Sequence, residues 1–170
     1  MTRSKIKTLL ILRHAKSSWK FPDLADHDRP LNKRGKRDAT KIGNLLKEKD
    51  LVPDLIISST AVRAERTAKM VAKASKYKGN VTLTDSLDAA GPDAYIDVLS
   101  NLQDKYNTVL VIGHNPGLEE LVKILSGEGY PVMPTCALAH VRLDIQSWSD
   151  IVQMTQKGRL VRLWNPHELS

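Results

Sequence analysis

Three short stretches of this chain carry side chains that could do chemistry together. Arg13-His14 follows an apolar run, Ser58-Ser59-Thr60 leads into Arg63, and Gly113-His114-Asn115-Pro116 follows a second apolar run. An arginine offers a planar, permanently charged fork whose N–H groups match the oxygens of a carboxylate or phosphate. A histidine can be a ligand, a base or a nucleophile, and an Arg-His pair alone selects none of these. The second arginine and the second histidine narrow the reading. Arg63 falls in the first turn of a predicted helix, where free backbone N–H groups and the helix dipole attract an anion. His114 precedes another predicted helix start, beside a glycine that permits close backbone approach. Two arginines, two histidines and two helix N-termini make an anion pocket the simplest arrangement, provided the fold brings them together.

The elements that must do so are legible in the hydrophobic pattern. Residues 7–12 and 108–112 are nearly all apolar, as strands buried on both faces are, and 55–57 and 81–83 are shorter runs of the same kind. Between them, Ala39, Ile42, Leu45 and Leu46 recur at helical spacing within 33–49, and Ala61, Ala64, Ala68, Val71 and Ala72 form a second stripe. Ser58, Ser59 and Thr60 suit the cap of that second helix. Pro92 suits the first turn of a third, with Tyr95, Val98, Leu99 and Leu102 inward. Asn115 and Pro116 open a fourth, lined by Leu118, Leu121, Val122 and Leu125. Residues 137–145 alternate apolar and polar, which predicts a half-exposed strand that is antiparallel or near an edge, and 159–164 closes the sheet. Strands alternating with helices predict a three-layer α/β/α sandwich: a mostly parallel central sheet with one antiparallel strand near an edge. No repeat or linker divides residues 1–170, so one domain is expected. Ligands of such sheets bind outside the carboxyl ends of the strands, where Arg13-His14, Ser58 to Arg63 and His114 all fall. The polar stretch 15–32 joins two strong elements and reads as a functional loop.

Composition excludes several classes. The chain has 170 residues, 41% hydrophobic and 26% charged, an ordinary balance for a folded domain. The single cysteine, Cys136, can form neither an internal disulfide nor a paired-cysteine zinc site, which points to a reducing compartment and hence the cytoplasm. The start is basic over 1–7, and the apolar run after it is too short to cross a membrane. The formal net charge of +7 steers anions, but its lysines and arginines are dispersed, and three Trp, four Tyr and one Phe give no stacking platform for nucleic acid. His27, among Asp23, Asp26 and Asp28, lacks paired metal-ligand spacing and reads as a solvated loop residue. His140 and His167 read as surface positions, and Trp148 and Trp164 as core or rim.

On these residues the chain resembles the histidine phosphatase superfamily, which includes the phosphoglycerate mutases. Leu12-Arg13-His14-Ala15 is similar to that family's Arg-His-Gly signature. Pro30 to Gly35, Ser58 to Ala64 and Gly113 to Pro116 match later blocks in the same order. The short chain and the run Arg13 to Trp19 look most similar to the SixA-type phosphohistidine phosphatase branch. The resemblance implies a phosphoglycerate mutase-like fold, no metal and no cofactor. It also implies that His14 attacks phosphorus while Arg13, Arg63 and His114 bind the phosphoryl oxygens. Ser17 could add a hydroxyl to that set or simply stabilise a turn.

Two departures shape the expected substrate. Ala15 stands where the family has glycine, adding a methyl group that should be tolerated. Many mutase-like members place a glutamate after the third strand as general acid, and 84–92 has none; Asp85 and Asp88, its only carboxylates, are the candidates for that acid or else solvated loop residues. An alkoxide leaving group needs a proton badly, whereas the imidazole of a phosphohistidine leaves more readily. The substrate expected is therefore phosphorylated, with phosphohistidine on a protein first; the alternative is a phosphatase or mutase acting on a small phosphorylated metabolite. A noncatalytic phosphate- or nucleic-acid-binding module comes last, because binding alone needs no nucleophile.

Overall fold

The computed structural model describes residues 6–129, 131–153 and 158–169; of the basic start at 1–7, residues 1–5 lie outside that set. β1 (Lys7–Arg13), β2 (Leu55–Ser59), β3 (Val81–Thr84), β4 (Thr108–Gly113), β5 (Leu138–Leu143) and β6 (Gly158–Trp164) form a six-stranded sheet in the order β3-β2-β4-β1-β5-β6. β1 to β4 pair in parallel, β5 runs antiparallel to β1, and β6 runs antiparallel to β5. The expected reversed strand is therefore β5, one place in from the edge. β6 covers it, and a bulge between His140 and Val141 interrupts their register.

Side-chain alternation along β1 feeds two cores. Leu9 and Ile11 pack with Tyr95 and Leu99 of α3 (Pro92–Ser100) and with Leu118 and Leu121 of α4 (Gly117–Ser126). Leu10 and Leu12 pack with Ala39 and Ile42 of α1 (Lys33–Glu48) and with Ala64 and Ala68 of α2 (Val62–Ser75). β4 divides in the same way, Val109 and Val111 to one side, Leu110 and Ile112 to the other. An all-apolar strand is what a sheet covered on both faces requires. Each such side chain, fully buried, stabilises the fold by about 1.5–3 kcal/mol.

Helix ends obey local chemistry, with two departures from expectation. The Asn32 side chain caps α1 by accepting from the Gly35 N–H at 2.8 Å. α4 stops at Gly127, whose φ of 71° is the left-handed conformation a side chain would disfavour. The caps of α2 and α4 are instead Ala61 and Pro116, neither with a side-chain hydrogen bond. The Ser59 and Thr60 hydroxyls donate to the Asp88 carboxylate, and the Ser59 oxygen accepts from the Ala61 N–H, just short of the helix. The Asn115 amide donates to the Met133 carbonyl at 2.8 Å.

The end of β1 is held from both sides. The His14 N–H donates to the Gly113 carbonyl of β4, and the Arg13 N–H donates to the Ala137 carbonyl beside β5, each at 3.1 Å. The Cys136 N–H returns to the carbonyls of Arg13 and His14 at 3.1 and 3.0 Å.

Candidate active site

Arg13, His14, Arg63 and His114 line one cavity of about 480 Å³ at the carboxyl ends of β1, β2 and β4. Its far wall is Asp88 to Gly91 and Asn115 to Gly117, with Glu120 of α4. The rings of His14 and His114 lie 5.1 Å apart, centre to centre. Both residues are 8% exposed, so neither imidazole is lost in the apolar interior.

The His14 ring is fixed by its own backbone. Nδ1 lies 2.8 Å from the Ala15 carbonyl, which only accepts, so Nδ1 carries the proton and Nε2 is left with a bare lone pair. Burial, chiefly, pushes its pKa down to about 3, with the nearby His114, Arg63 and Arg13 adding to the fall against the Ala15 bond. His14 is neutral at neutral pH, as a nucleophile must be. His114 is likewise pushed down to about 4, by burial first and Arg63 next, against the pull of Asp88 and Asp26.

Both guanidiniums are anchored by hydrogen bonds. Arg13 Nη1 donates to the Met133 carbonyl at 3.0 Å. Arg63 donates through Nη1 to the Asp26 carbonyl at 2.8 Å and through Nη2 to the Asp26 carboxylate at 3.1 Å. Asp26 also receives Arg29, at 3.0 Å, so it sits between two arginines. Burial raises its carboxyl, but Arg63 and Arg29 outweigh that and hold it below the usual range. The Nε atoms of Arg13 and Arg63 are buried without a protein partner. Two fixed cations and a bare imidazole nitrogen around one space can hold a tetrahedral anion and attack its centre.

Other expected positions lie elsewhere. Ser17 is buried in an isolated bridge to Leu31 and does not line the cavity. Asp85 is exposed in a 3-10 turn, Asp85–Leu87, away from the lining. Asp88 lines it, but both its oxygens accept hydroxyls, from Ser59 at 2.6 Å and Thr60 at 2.5 Å. Burial raises its carboxyl; the bonds from Ser59 and Thr60, and His27, bring the net shift below the usual range, leaving no proton to donate at neutral pH. Ala15 is fully buried in the core against α1 and α2, its N–H on Thr67 Oγ1 at 2.9 Å, so its methyl group meets the core rather than the cavity. His27 is exposed, yet its ring reaches Thr60 Oγ1 at 3.0 Å. Sequence reasoning missed Asp26, the Met133 carbonyl and the Tyr95 hydroxyl, which accepts the His114 N–H at 3.1 Å.

A neutral imidazole between two arginines and a second histidine, at the strand ends of this sandwich, is the arrangement of a phosphatase of the histidine class. The family model of the histidine phosphatase superfamily (branch 1) matches residues 9–89. A chloroplastic protein of Arabidopsis thaliana is 35% identical over 161 residues, covering 89% of this chain and 73% of its own. The phosphohistidine phosphatase SixA of Escherichia coli is 28% identical over 141 residues, 80% of this chain and 85% of its own. A crystal structure assigned as phosphohistidine phosphatase SixA from Agrobacterium tumefaciens superposes with a TM-score of 0.80 at 28% identity, covering 94% of this chain and 98% of that one. The chain belongs to the histidine phosphatase superfamily, is similar in design to the SixA type, and is a phosphatase. Among the described residues no helix is long and apolar enough to cross a membrane.

Proposed function

We propose that His14 is the nucleophile of a two-step phosphoryl transfer and that the substrate is a phosphohistidine carried by a protein. The observation behind the mechanism is the fixed His14 tautomer, with Nδ1–H on the Ala15 carbonyl and Nε2 bare in a cavity walled by Arg13 and Arg63. In the first step Nε2 attacks phosphorus, the bond from phosphorus to the leaving nitrogen breaks, and the departing imidazole takes a proton from solvent. In the second, water attacks phosphorus, the bond to His14 breaks, and inorganic phosphate leaves with the proton balance restored by solvent. Arg13, Arg63 and His114 hold the equatorial oxygens, where charge gathers in the transition state. The fixed positive charge of the two arginines does there what a metal ion does in other phosphatases.

Two features support the substrate class. No glutamate follows β3, and Asp88 is held ionised, so a leaving group that departs with little help is favoured. Between β3 and β4 the one α-helix is α3, nine residues long, which is too little chain for a large cap over the cavity. A phosphorylated side chain on another protein could then reach His14. Escherichia coli SixA, a phosphohistidine phosphatase by name, gives the same direction. The lone buried cysteine suits a reducing compartment, for which we take the cytoplasm.

Brief exposure to a labelled phosphoryl donor tests the mechanism. Wild-type protein should take up an acid-labile, base-stable label, and His14→Ala should take up none; undiminished turnover by that variant would end the mechanism. Rates on a phosphohistidine peptide and on alkyl phosphates test the substrate. Faster turnover of the alkyl phosphates would move the assignment to a small phosphorylated metabolite.

A further inference from the structure

One carboxylate of the cavity wall, Asp88, has no task in the two-step transfer through His14. Its Oδ1 accepts the Ser59 hydroxyl at 2.6 Å and the Thr60 N–H at 2.7 Å, and its Oδ2 accepts the Thr60 hydroxyl at 2.5 Å. A hydroxyl has one proton, and an ionised carboxylate only accepts. With its proton on Asp88, Ser59 Oγ must itself accept at its other contacts. Those are the Ala61 N–H at 3.1 Å and His114 Nε2 at 2.9 Å. The proton between Ser59 and His114 therefore belongs to Nε2. The same logic runs on the other oxygen, where Thr60 Oγ1 accepts from His27 Nε2 at 3.0 Å. One carboxylate thus orients two hydroxyls, each of which accepts from an imidazole Nε2.

We propose that Asp88 is a positioning residue for His114: acting through Ser59, it fixes the neutral ring with its proton on Nε2. The catalytic value of this arrangement rests on the phosphohistidine mechanism proposed for His14. His114 is thereby kept a hydrogen-bond donor at Nε2 beside the nucleophile. Without Asp88 the Ser59 hydroxyl is free to donate to Nε2, the ring proton moves to Nδ1, and a nitrogen that donated becomes one that accepts. The ring then loses the fixed orientation it holds beside His14. Several charges face the ring. Arg63 and Arg13 join burial in lowering its pKa, Asp88 and Asp26 oppose them, and the His14 ring stands 5.1 Å away. Tyr95, on α3, meets the ring's residue through the His114 backbone N–H. Asp88 is thus the carboxylate that both supports the charge and sets the tautomer.

The test is nitrogen NMR of the full chain carrying ¹⁵N-histidine, in which the two ring nitrogens report the tautomer directly and without reference to activity. Wild-type His114 should be neutral near neutral pH with its proton on Nε2. Asp88→Ala and Ser59→Ala should each release that tautomer, and kcat/KM should fall about tenfold, the worth of one buried hydrogen bond. Asp88→Asn keeps an oxygen for Ser59 and the Thr60 N–H, so it should retain the Nε2 proton and most of the rate while His114 titrates at lower pH. A wild-type ring protonated on Nδ1 would overturn the proposal, as would an unchanged Nε2–H signal in both alanine variants. Should Asp88→Ala fail to fold, Ser59→Ala decides alone. His14→Ala separates the two readings: activity in that variant would sink the phosphohistidine mechanism while leaving the His114 tautomer to be judged on its own spectrum.

Discussion

Replacing Gly113 with alanine should damage His114 by way of Tyr95. A β-carbon at position 113 would lie 2.0 Å from the Tyr95 hydroxyl, 2.9 Å from Cζ and 3.0 Å from Cε1, where ordinary contact begins at 3.4 Å. The ring cannot swing into solvent, because Tyr95 is fully buried among the core residues of α3 and α4. It must retreat, and the hydroxyl that accepts the His114 N–H at 3.1 Å goes with it. Overpacking of this kind costs about 1–3 kcal/mol and the lost buried hydrogen bond about 1 kcal/mol more, so Gly113→Ala should destabilise by about 2–4 kcal/mol. Tyr95→Phe alone should cost about 1–2 kcal/mol by leaving the His114 N–H unpaired. In the double variant the worst contact has vanished with the hydroxyl, and the hydrogen bond is lost once rather than twice. The two changes should therefore fall short of additivity by at least about 1 kcal/mol. Urea unfolding of the four proteins measures this coupling. Additivity within about 0.5 kcal/mol, or a Gly113→Ala protein as stable as wild type, would refute the reasoning.

Three more outcomes are expected at the site. His14 and His114 have pKa values pushed down to about 3 and about 4, so between there and about 6.5 the unfolded chain binds protons that the folded one refuses. Stability of the unliganded protein, complete above about pH 6.5, should fall on acidification towards about pH 4, by up to about 1.4 kcal/mol per pH unit for each histidine. Denaturation series at several pH values should show a shallower slope in His14→Ala, and equal slopes would contradict the assignment of these shifts. Arg63→Ala should lower kcat about a hundredfold, since it removes a preorganised donor worth about 3 kcal/mol; a loss of less than about fivefold in steady-state assays would place the phosphoryl group elsewhere. Ala15→Gly should lower thermal stability by removing a buried methyl worth about 0.8 kcal/mol, with no gain in rate. A severalfold faster enzyme would show that the methyl crowds the anion after all.

The parts of this protein that obey a period were readable from sequence, and the parts that depend on pairing across the chain were not. Leu9 to Leu12 and Val109 to Ile112 announce strands covered on both faces, and the residues just after each such run fall in the cavity. Arg63 was placed by its position in the first turn of α2. Its partner Asp26 was not, because 15–32 has no regular spacing and offers Asp23, Asp26 and Asp28 with nothing to choose between them. Ser59 and Thr60 have the residue types of a helix cap, yet Asp88, 29 and 28 residues away, takes their protons. Tyr95 was read as an inward apolar contact, which its ring is; only coordinates show its oxygen at the His114 N–H. Ala15 stands where the family has glycine, and nothing in the sequence tells that its methyl group enters the core.

The clamp on the end of β1 bears on what happens if translation or a protease stops short. Arg13, His14, Arg63 and His114 all precede position 115, so a product ending after α4 would hold all four side chains expected to grip and attack the phosphoryl group. It would lack the Cys136 N–H and the Ala137 carbonyl that grip the backbone of the reactive turn. It would also strip β1 of its antiparallel neighbour, leaving a rim of Leu9 to Leu12 with open amides and carbonyls, the kind of surface that recruits other unfinished chains. Such a fragment should aggregate, which light scattering would show.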